Sequence, residues 1–362
     1  MNSIDSTLNL KHDSNPIVLE DMERIIAANL PWTLLKNKTI VVTGGSGYLA
    51  SYLIKALLAI SRRYELHVKV ICVARNAKSV ELRLGSYVGA PDFSVVKHDV
   101  SMPLPNDFPR ADIVVHSASQ ASPKYYGTDP VGTLLTNTVG TMHLLEYAEK
   151  SKTEKFLFFS SGEIYGVPID STRAIGEQDF GHLDPMNVRS CYAESKRMGE
   201  TMCSAWTQQY GLHTNVVRPF HTYGPGMALD DGRVFADFVS DVVAKRDIVL
   251  KSDGIALRPF CYIADATIGF LTVLLIGGKA QAYNIANPGA EISIRNLAKL
   301  IAELFPERKI NTRYEAPVQS NVYLQSPVSR ACPSIEKIQS LGWSPVTGLV
   351  DGFSRTIKSF LV

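Results

Sequence analysis

The stretch KTIVVTGGSGYLASYLIKALLAI (38–60) decides the fold. It begins with a short β-branched run, typical of a buried strand, and ends with an apolar run that is typical of a helix. Between the two runs, Gly45, Gly47 and Ala50 fit the pattern G-x-G-x-x-G/A. Small residues at these positions let the backbone approach a pyrophosphate at the positive N-terminus of a helix. The stretch therefore predicts the first βαβ unit of a dinucleotide-binding domain.

Strand-like and helix-like segments alternate beyond this unit. Alternation of this kind is typical of a doubly wound parallel α/β sheet of the Rossmann type, with right-handed crossovers. We expect six strands in all. The further predicted strands are 67–73, 94–99, 112–118, 155–161 and 213–219, and the later helices cover about 130–150 and 190–210.

The chain divides by pattern into three parts. We expect residues 1–36 to form an N-terminal extension with a short helix over 20–29. Residues 37–219 are predicted to form the dinucleotide-binding domain. Residues 220–362, where Gly, Pro and Asp interrupt the alternation, are predicted to form mainly a smaller C-terminal substrate lobe, with 263–285 returning to the first domain.

Composition narrows the class of protein. The chain has 362 residues, 45% of them hydrophobic, and a formal net charge of +2. A nucleic-acid-binding protein needs a clustered basic surface, which the sequence lacks. We see no bilayer-length apolar run, no signal-peptide pattern, no zinc spacing among the histidines, and five scattered cysteines. We therefore expect a cytoplasmic protein with reduced thiols and with no metal, membrane or nucleic-acid partner.

The end of the second strand bears on the choice of cofactor. An acidic residue commonly lies there and binds the ribose hydroxyls, but this chain has Arg75. An arginine at this position can accommodate a 2′-phosphate, or it can be an ordinary solvated side chain. NAD is the expected cofactor and NADP stays open. Asp99, after the third strand, could bind the adenine or cap a turn.

The sequence YAESK (192–196) supplies a catalytic hypothesis. Tyr192 and Lys196 are four residues apart, so on a helix they share a face. A free phenol titrates near pH 10, and a neighbouring cation would favour the phenolate, so that Tyr192 could act as a base. Ser161, at the end of the fifth predicted strand, could bind the oxygen that is being oxidised.

With these motifs, the chain resembles the extended short-chain dehydrogenases/reductases, in particular the NAD-dependent nucleotide-sugar epimerases and dehydratases. The UDP-glucuronate decarboxylases and the 4,6-dehydratases look most similar. The motifs that carry the resemblance are TGGSGYLA (43–50), HSASQASP (116–123), NTVGT (137–141), SSGEIYG (160–166), YAESK (192–196), RPFHTYGPG (218–226), DDGRVFADFV (230–239), RPFCYIAD (258–265) and LGWSP (341–345).

The resemblance implies a set of binding residues and a homodimer formed through the helices near 130–150 and 190–210. The implied cofactor-binding residues are Gly44, Gly45, Ser46, Gly47, Tyr48, Leu49, Arg75, Asp99, Val100, Ser117, Ala118, Ser119, Asn137, Tyr192, Lys196 and Pro219. The implied substrate-binding residues are Tyr125, Tyr126, Arg189, His221, Arg233 and Arg258. For the tyrosines, packing is the alternative role, and for Arg189 a place on the surface.

The resemblance also implies transient oxidation of a sugar at C4. Glu163 stands where the two branches carry a catalytic glutamate, although a loop carboxylate is the alternative. Loss of a carboxylate, loss of water or epimerisation could follow, and a UDP-glucuronate decarboxylase is the preferred reading. An NADP-dependent keto-sugar reductase, which Arg75 permits, and a non-catalytic NAD(P)-binding regulatory protein are the alternatives.

The chain departs from the family pattern at several positions. Gly162 stands where dehydratases carry Asp and decarboxylases usually carry Ser, which removes a proton donor. His221 replaces the usual Asn of the motif R-x-x-N-x-Y-G-P. Ala50 replaces the usual third glycine of the loop. These changes predict an altered substrate or a less common branch.

Overall fold

A parallel sheet of seven strands forms the centre of the molecule in the computed structural model, which describes residues 15–315 and 328–362. The strand order is β3-β2-β1-β4-β5-β6-β11. The strands of this sheet are β1 (Thr39–Thr43), β2 (Lys69–Ala74), β3 (Phe93–Lys97), β4 (Ile113–His116), β5 (Lys155–Phe159), β6 (Thr214–Pro219) and β11 (Gln281–Ile285). The order reverses between β1 and β4, which opens a ligand crevice at the carboxyl ends of these strands. The predicted doubly wound fold is confirmed.

Helices cover both faces of the sheet, so the central strands are almost continuously apolar. Ile40 and Val42 point into one core with the helix after the glycine loop, whereas Val41 points into a second core on the other face. The helices are α1 (Pro16–Ile26), α2 (Tyr48–Arg63), α3 (Ala77–Leu84), α4 (Pro123–Thr128), α5 (Pro130–Asn137), α6 (Val139–Lys150), α7 (Ser190–Tyr210), α8 (Val234–Val243), α9 (Ile263–Ile276), α10 (Ile294–Glu303), α11 (Glu336–Gln339) and α12 (Leu349–Ser359).

The sequence predicted six strands, and β11 adds a seventh. This strand pairs in parallel with β6, with Tyr283 opposite Val217. The preceding helix α9 packs against β5 and β6. Residues 263–285 therefore contribute a strand to the central sheet and a helix that packs against it.

Short two-stranded pairs organise much of the chain after β6. Each pair joins segments that are distant in sequence, and α8 and α10 pack beside them. The pairs are β7 (Thr222–Tyr223) with β10 (Cys261–Tyr262), β8 (Ile248–Leu250) with β13 (Thr312–Tyr314), and β9 (Leu257–Pro259) with β12 (Glu291–Ser293). Of these strands, β7 begins three residues after β6 ends, at the carboxyl end of the central sheet.

The N-terminal helix begins earlier than predicted and belongs to the core. Residues 1–14 of the predicted extension lie outside the described residues. The Asn15 side chain accepts a hydrogen bond from the Ile17 amide, and Pro16 occupies the first turn, so α1 spans Pro16–Ile26 and not 20–29. Asp21 accepts hydrogen bonds from the hydroxyls of Tyr52 (2.6 Å) and Tyr262 (2.7 Å). These bonds join α1 to α2 and to the end of β10.

The helix predicted near 130–150 and the five cysteines can be compared directly with the structure. The helix predicted over 130–150 is broken at Thr138 into α5 and α6. All five cysteines are unpaired thiols in buried positions. Within the described part of the chain, no helix combines the length and apolar character needed to cross a membrane.

Candidate active site

The glycine loop forms a cradle between β1 and α2. Gly44 has φ +72°, and a Cβ there would lie 2.6 Å from the Ala118 Cα. A Cβ on Gly45 would overlap the Cys72 sulfur, so both positions require glycine. Among the described residues, no side chain caps α2 at Gly47, which leaves the first amides of the helix for an anion. The cradle therefore fits the pyrophosphate of a dinucleotide.

Polar atoms without partners face the same crevice. The Ser119 Oγ and the Asn137 Oδ1 are buried, and neither has a hydrogen-bond partner among the described residues. The Asn137 amide nitrogen donates to Ser195 Oγ (3.0 Å), and Ser117 Oγ donates to the Thr43 carbonyl (2.7 Å). Buried polar atoms normally have partners, so the two orphaned atoms indicate a missing polar ligand.

The remaining predicted cofactor residues differ in position. Ser46 and Leu49 lie in or beside the loop, Val100 packs against Gly140, and Pro219 ends β6. Tyr48 packs at an edge-to-face angle on Tyr52. Arg75 is exposed at the end of β2. Asp99 caps a turn, because its Oδ1 accepts from the amide (2.9 Å) and the hydroxyl (2.7 Å) of Ser101. The seven predicted cofactor-binding residues placed in this way are Ser46, Tyr48, Leu49, Arg75, Asp99, Val100 and Pro219.

Ser161, Tyr192 and Lys196 converge at the carboxyl end of β5. The Lys196 ammonium lies 5.9 Å from the centre of the Tyr192 ring and donates to the Phe159 carbonyl (2.6 Å). Ser161 Oγ accepts from the Glu163 amide (3.1 Å) and thereby caps a single 3₁₀ turn, Gly162–Tyr165. The structure thus brings the three side chains together; the spacing Y-x-x-x-K accounts for Tyr192 and Lys196, and the position of Ser161 follows from the end of β5.

Burial controls the electrostatics of this set. Burial raises the pKa of Tyr192, while the Ser161 hydroxyl and the Arg233 charge lower it and Glu163 raises it further. Burial also lowers the pKa of Lys196 to about 7. The lysine is therefore held in surroundings that disfavour its charged form.

This burial predicts that Lys196 costs stability, and Lys196→Met should be more stable than the wild type near pH 6. In the unfolded chain the lysine titrates near pH 10.4, and in the folded protein near 7, so between these values the unfolded state binds more protons. The wild type should therefore gain stability over the variant as pH rises through this window, by up to about 1.4 kcal/mol per pH unit.

Urea unfolding of both proteins between pH 6 and pH 10 measures this difference. Subtracting the two curves removes the contributions of the other titrating groups. A difference that does not change with pH would contradict the assignment of a depressed lysine.

Tyr126, Arg189 and Glu163 form a connected wall beside Tyr192. The rings of Tyr126 and Tyr192 stack with centroids 5.0 Å apart and an interplanar angle of 17°. The Arg189 guanidinium lies 5.9 Å from the Tyr126 centroid, and its Nη1 is 3.1 Å from Glu163 Oε2. Glu163 thus pairs with an arginine, and Arg189 faces the site rather than bulk solvent. Tyr125, by contrast, is 38% exposed.

The guanidinium groups of Arg233 and Arg258 act on the imidazole of His221. Its Nδ1 is buried without a hydrogen-bond partner among the described residues. Burial and the charges of Arg258 and Arg233 lower the pKa of His221 to about 3, so the imidazole is neutral at pH 7. Arg233 also donates to the Ala121 carbonyl (3.2 Å), and Arg258 to the Val328 carbonyl (2.7 Å). The three predicted substrate residues are therefore neighbours.

Phe220 is a site residue that sequence reasoning missed. A Cβ on Gly162 would lie 2.7–2.8 Å from three atoms of the Phe220 ring, so the ring fills the place of a side chain at 162. Phe220 also stacks on Tyr165, with centroids 6.0 Å apart. The glycine at 162 was the sequence signal, but only the fold shows which residue takes the space.

We expect Gly162→Ala to lower the free energy of unfolding by about 1–3 kcal/mol, because the new methyl group would overpack against the Phe220 ring. Phe220→Leu alone should also destabilise, through the cavity that it leaves. In the double variant the two costs should partly cancel, which a double-mutant cycle of urea unfolding measures. Strictly additive costs would show that the two positions do not compete for space.

The comparisons with known proteins agree with this geometry. The model of the NAD dependent epimerase/dehydratase family matches residues 40–286. UDP-glucuronic acid decarboxylase 6 from Arabidopsis thaliana is 33% identical over 326 residues, which cover 90% of this chain and 89% of that protein. UDP-glucuronic acid decarboxylase 1 from Xenopus tropicalis is 33% identical over 89% of this chain and 72% of its own length.

Solved structures share the fold at lower identity. UDP-glucose 4-epimerase from Thermotoga maritima superposes with a TM-score of 0.74 at 23% identity, covering 89% of this chain and 98% of that one. UDP-glucuronic acid 4-epimerase from Bacillus cereus, solved with UDP-glucuronic acid and NAD, gives 0.75 at 21% identity, with 89% and 99% covered. The chain therefore belongs to the NAD dependent epimerase/dehydratase family, as its motifs predicted.

Proposed function

We propose that this chain decarboxylates a nucleotide-diphosphate uronic acid, with UDP-glucuronate as the first substrate to test, through transient oxidation at the sugar C4. The observation that carries the proposal is the 3.1 Å ion pair between Glu163 and Arg189 beside the Tyr192 ring stack. It places a cation for a substrate carboxylate and a carboxylate for proton transfer within one wall. The similarity to decarboxylases supports the same reading.

Tyr192, Lys196 and Ser161 would serve the oxidation step. The glycine loop would hold NAD, which would supply the hydride acceptor for the oxidation and the hydride donor for the final reduction. Tyr192 removes the proton from O4, and Ser161 hydrogen-bonds the same oxygen. Lys196, once charged, stabilises the phenolate of Tyr192. The overall reaction is redox-neutral.

Arg189 and Glu163 would serve the carbon–carbon bond cleavage. Oxidation at C4 makes the sugar a β-keto acid, whose C6 carboxylate leaves as carbon dioxide while the electron pair passes into the C4 enolate. We propose that the incoming carboxylate competes for Arg189, because guanidinium forks suit carboxylates, and so releases Glu163. Glu163 then orients the water that protonates C5. Both side chains have the exposure that such an exchange requires (13% and 35%).

Dehydration is disfavoured by the surroundings of Gly162. Elimination of water needs an acid beside the leaving hydroxyl, and this position carries no side chain. The Phe220 ring occupies the space that such a side chain would need. Loss of carbon dioxide needs no acid at that point.

The cluster around His221 would bind the diphosphate. Two guanidinium groups provide positive charge for the phosphate oxygens, and the orphaned Nδ1 of a neutral imidazole provides a hydrogen-bonding group. We propose that Arg233, Arg258 and His221 together hold the diphosphate, with Tyr126 bordering the sugar. Tyr125, under the side chain of Lys124, would contribute at most to the rim.

A panel of nucleotide sugars tests the proposal. The purified protein is incubated with UDP-glucuronate, UDP-glucose and dTDP-glucose, each with added NAD, and products are identified by mass. We expect the loss of one carbon dioxide from UDP-glucuronate and no net reduction of added cofactor. An unchanged mass with inverted C4 would replace the proposal with an epimerase, and loss of water from UDP-glucose or dTDP-glucose with a dehydratase.

We also propose that the protein is a homodimer through α5 and α7. These helices lie side by side, and Leu134 (38%), Leu135 (43%) and Met198 (49%) are exposed on them, whereas Leu145 of α6 is fully buried. An apolar face of this kind suits a partner helix pair. Light scattering should give twice the chain mass, and Leu134→Glu with Leu135→Glu should give monomers. A wild-type monomer at micromolar concentration would refute the dimer.

A further inference from the structure

The carboxyl end of β2 is unusual for a site that binds NAD. In such sites a carboxylate at this point binds the ribose hydroxyls, and its charge repels a 2′-phosphate. Residues 69–80 of this chain contain no Asp or Glu, and Arg75 and Lys78 follow the strand. The charged side chains of residues 69–80 are therefore all positive.

The fold places this strand end against the cofactor cradle. The Gly44 amide donates to the Val73 carbonyl (2.8 Å), and Gly45 lies against Cys72. A pyrophosphate bound at the N-terminus of α2 would therefore lie one strand away from the end of β2. The adenosine ribose, which is attached directly to that pyrophosphate, would be directed towards Arg75.

Arg75 is available to bind a ligand. Its side chain is exposed, and within the described residues it makes no ion pair or hydrogen bond. Asp99 and Asp129 feel its charge, but both carboxylates are engaged elsewhere. Asp99 is bonded to Ser101, and Asp129 accepts from the Gly132 amide (3.0 Å) and from Gln120 (2.9 Å). The guanidinium therefore keeps its donors for an anion.

The following helix adds to the positive potential. Asn76 caps α3, with its side chain accepting from the Lys78 amide (3.0 Å), and the first turn contains no acid. The positive end of the helix dipole thus begins two residues after Arg75, and Lys78 lies in the first turn. The neutral ribose hydroxyls of NAD would gain little from this charge at the end of β2, whereas a 2′-phosphate would be stabilised by it.

We propose that Arg75 binds a 2′-phosphate on the adenosine ribose, so that the chain prefers a phosphorylated dinucleotide of the NADP type over NAD. The inference deepens the proposed function, since it names the cofactor of the same site, and it rests on that site holding a dinucleotide. The charge-assisted bonds of a guanidinium to a phosphate correspond to about 10- to 100-fold in affinity.

Isothermal titration calorimetry with NAD⁺ and NADP⁺ tests the proposal without requiring turnover. We expect wild-type protein to bind NADP⁺ at least about tenfold more tightly than NAD⁺. Arg75→Ala should remove most of this preference, and Arg75→Asp should reverse it, because a carboxylate binds ribose hydroxyls and repels phosphate. Mass analysis of dinucleotide extracted from freshly purified protein should show the 2′-phosphorylated form.

Lys69→Asp is the matched control. It makes the same charge change as Arg75→Asp at the exposed opposite end of β2, about 20 Å away along the strand, and should leave the ratio of the two affinities unchanged. Equal or tighter binding of NAD⁺ by the wild type, or a ratio that Arg75→Ala does not alter, would overturn the proposal. Either result would leave the proposed function standing, because that function is tested by a different measurement, the release of carbon dioxide from UDP-glucuronate with NAD.

Discussion

Tyr192→Phe should lower the rate of product formation by about 10²–10⁴-fold and should also abolish single-turnover reduction of bound cofactor. The variant keeps the ring that stacks on Tyr126 but loses the only hydroxyl of that pair that contacts Ser161. Without it, the group that we propose takes the O4 proton as the hydride leaves is missing. Stopped-flow absorbance of the reduced nicotinamide measures the first effect, and product analysis measures the second.

Tyr125→Phe is the matched control for this variant. Tyr125 neighbours the stack in sequence, but it is 38% exposed and lies under Lys124. It should therefore retain close to wild-type turnover. A Tyr192→Phe protein that still reduced its cofactor at more than a tenth of the wild-type rate would remove Tyr192 from the chemistry.

The local sequence predicted most of the central sheet because its strands are short, β-branched and bounded by turn residues. The predicted strand over 38–43 lies at Thr39–Thr43, and the one over 213–219 at Thr214–Pro219. The strand β11 was missed because its sequence, QAYNI, contains polar residues. Asn284 is buried there and accepts from the Tyr165 hydroxyl (2.6 Å), a partner that is distant in the chain. Only tertiary contacts make such a strand stable.

The candidate active site likewise contains some contacts that the sequence predicted and others that it could not predict. Tyr192 and Lys196 are joined by helical spacing, so the sequence alone predicted their proximity. Glu163 and Arg189 are separated by a long loop, and no local rule could predict that they form an ion pair. The filling of the space at Gly162 by Phe220 likewise depends on how β6 and the 3₁₀ turn after β5 approach each other. Roles that require contact between elements therefore had to await the structure.

Glu163→Gln should separate the oxidation step from the chemistry that follows. The amide keeps the shape of the side chain and removes its charge and its basicity. Tyr192, Lys196 and Ser161 are unchanged, so bound cofactor should still be reduced in a single turnover. Product formation should fall by about 100-fold or more, because no carboxylate then orients the proton-transferring water. Rapid-quench analysis should show the oxidised sugar accumulating while carbon dioxide release is slow.

Glu194→Gln is the matched control, since Glu194 also pairs with an arginine, Arg197 (3.5 Å), but both partners of that pair lie within α7. It should leave both steps intact, which would show that the effect at Glu163 is not a general response to losing an ion pair. Near-wild-type product formation in Glu163→Gln would end the decarboxylase and dehydratase readings together. A 4-epimerase would then be the better assignment, because rotation of the keto-sugar needs only the Tyr192 set. If the substitution raised KM and left kcat unchanged, Glu163 would be a binding residue, and its ion pair with Arg189 would serve to hold the site open for the substrate.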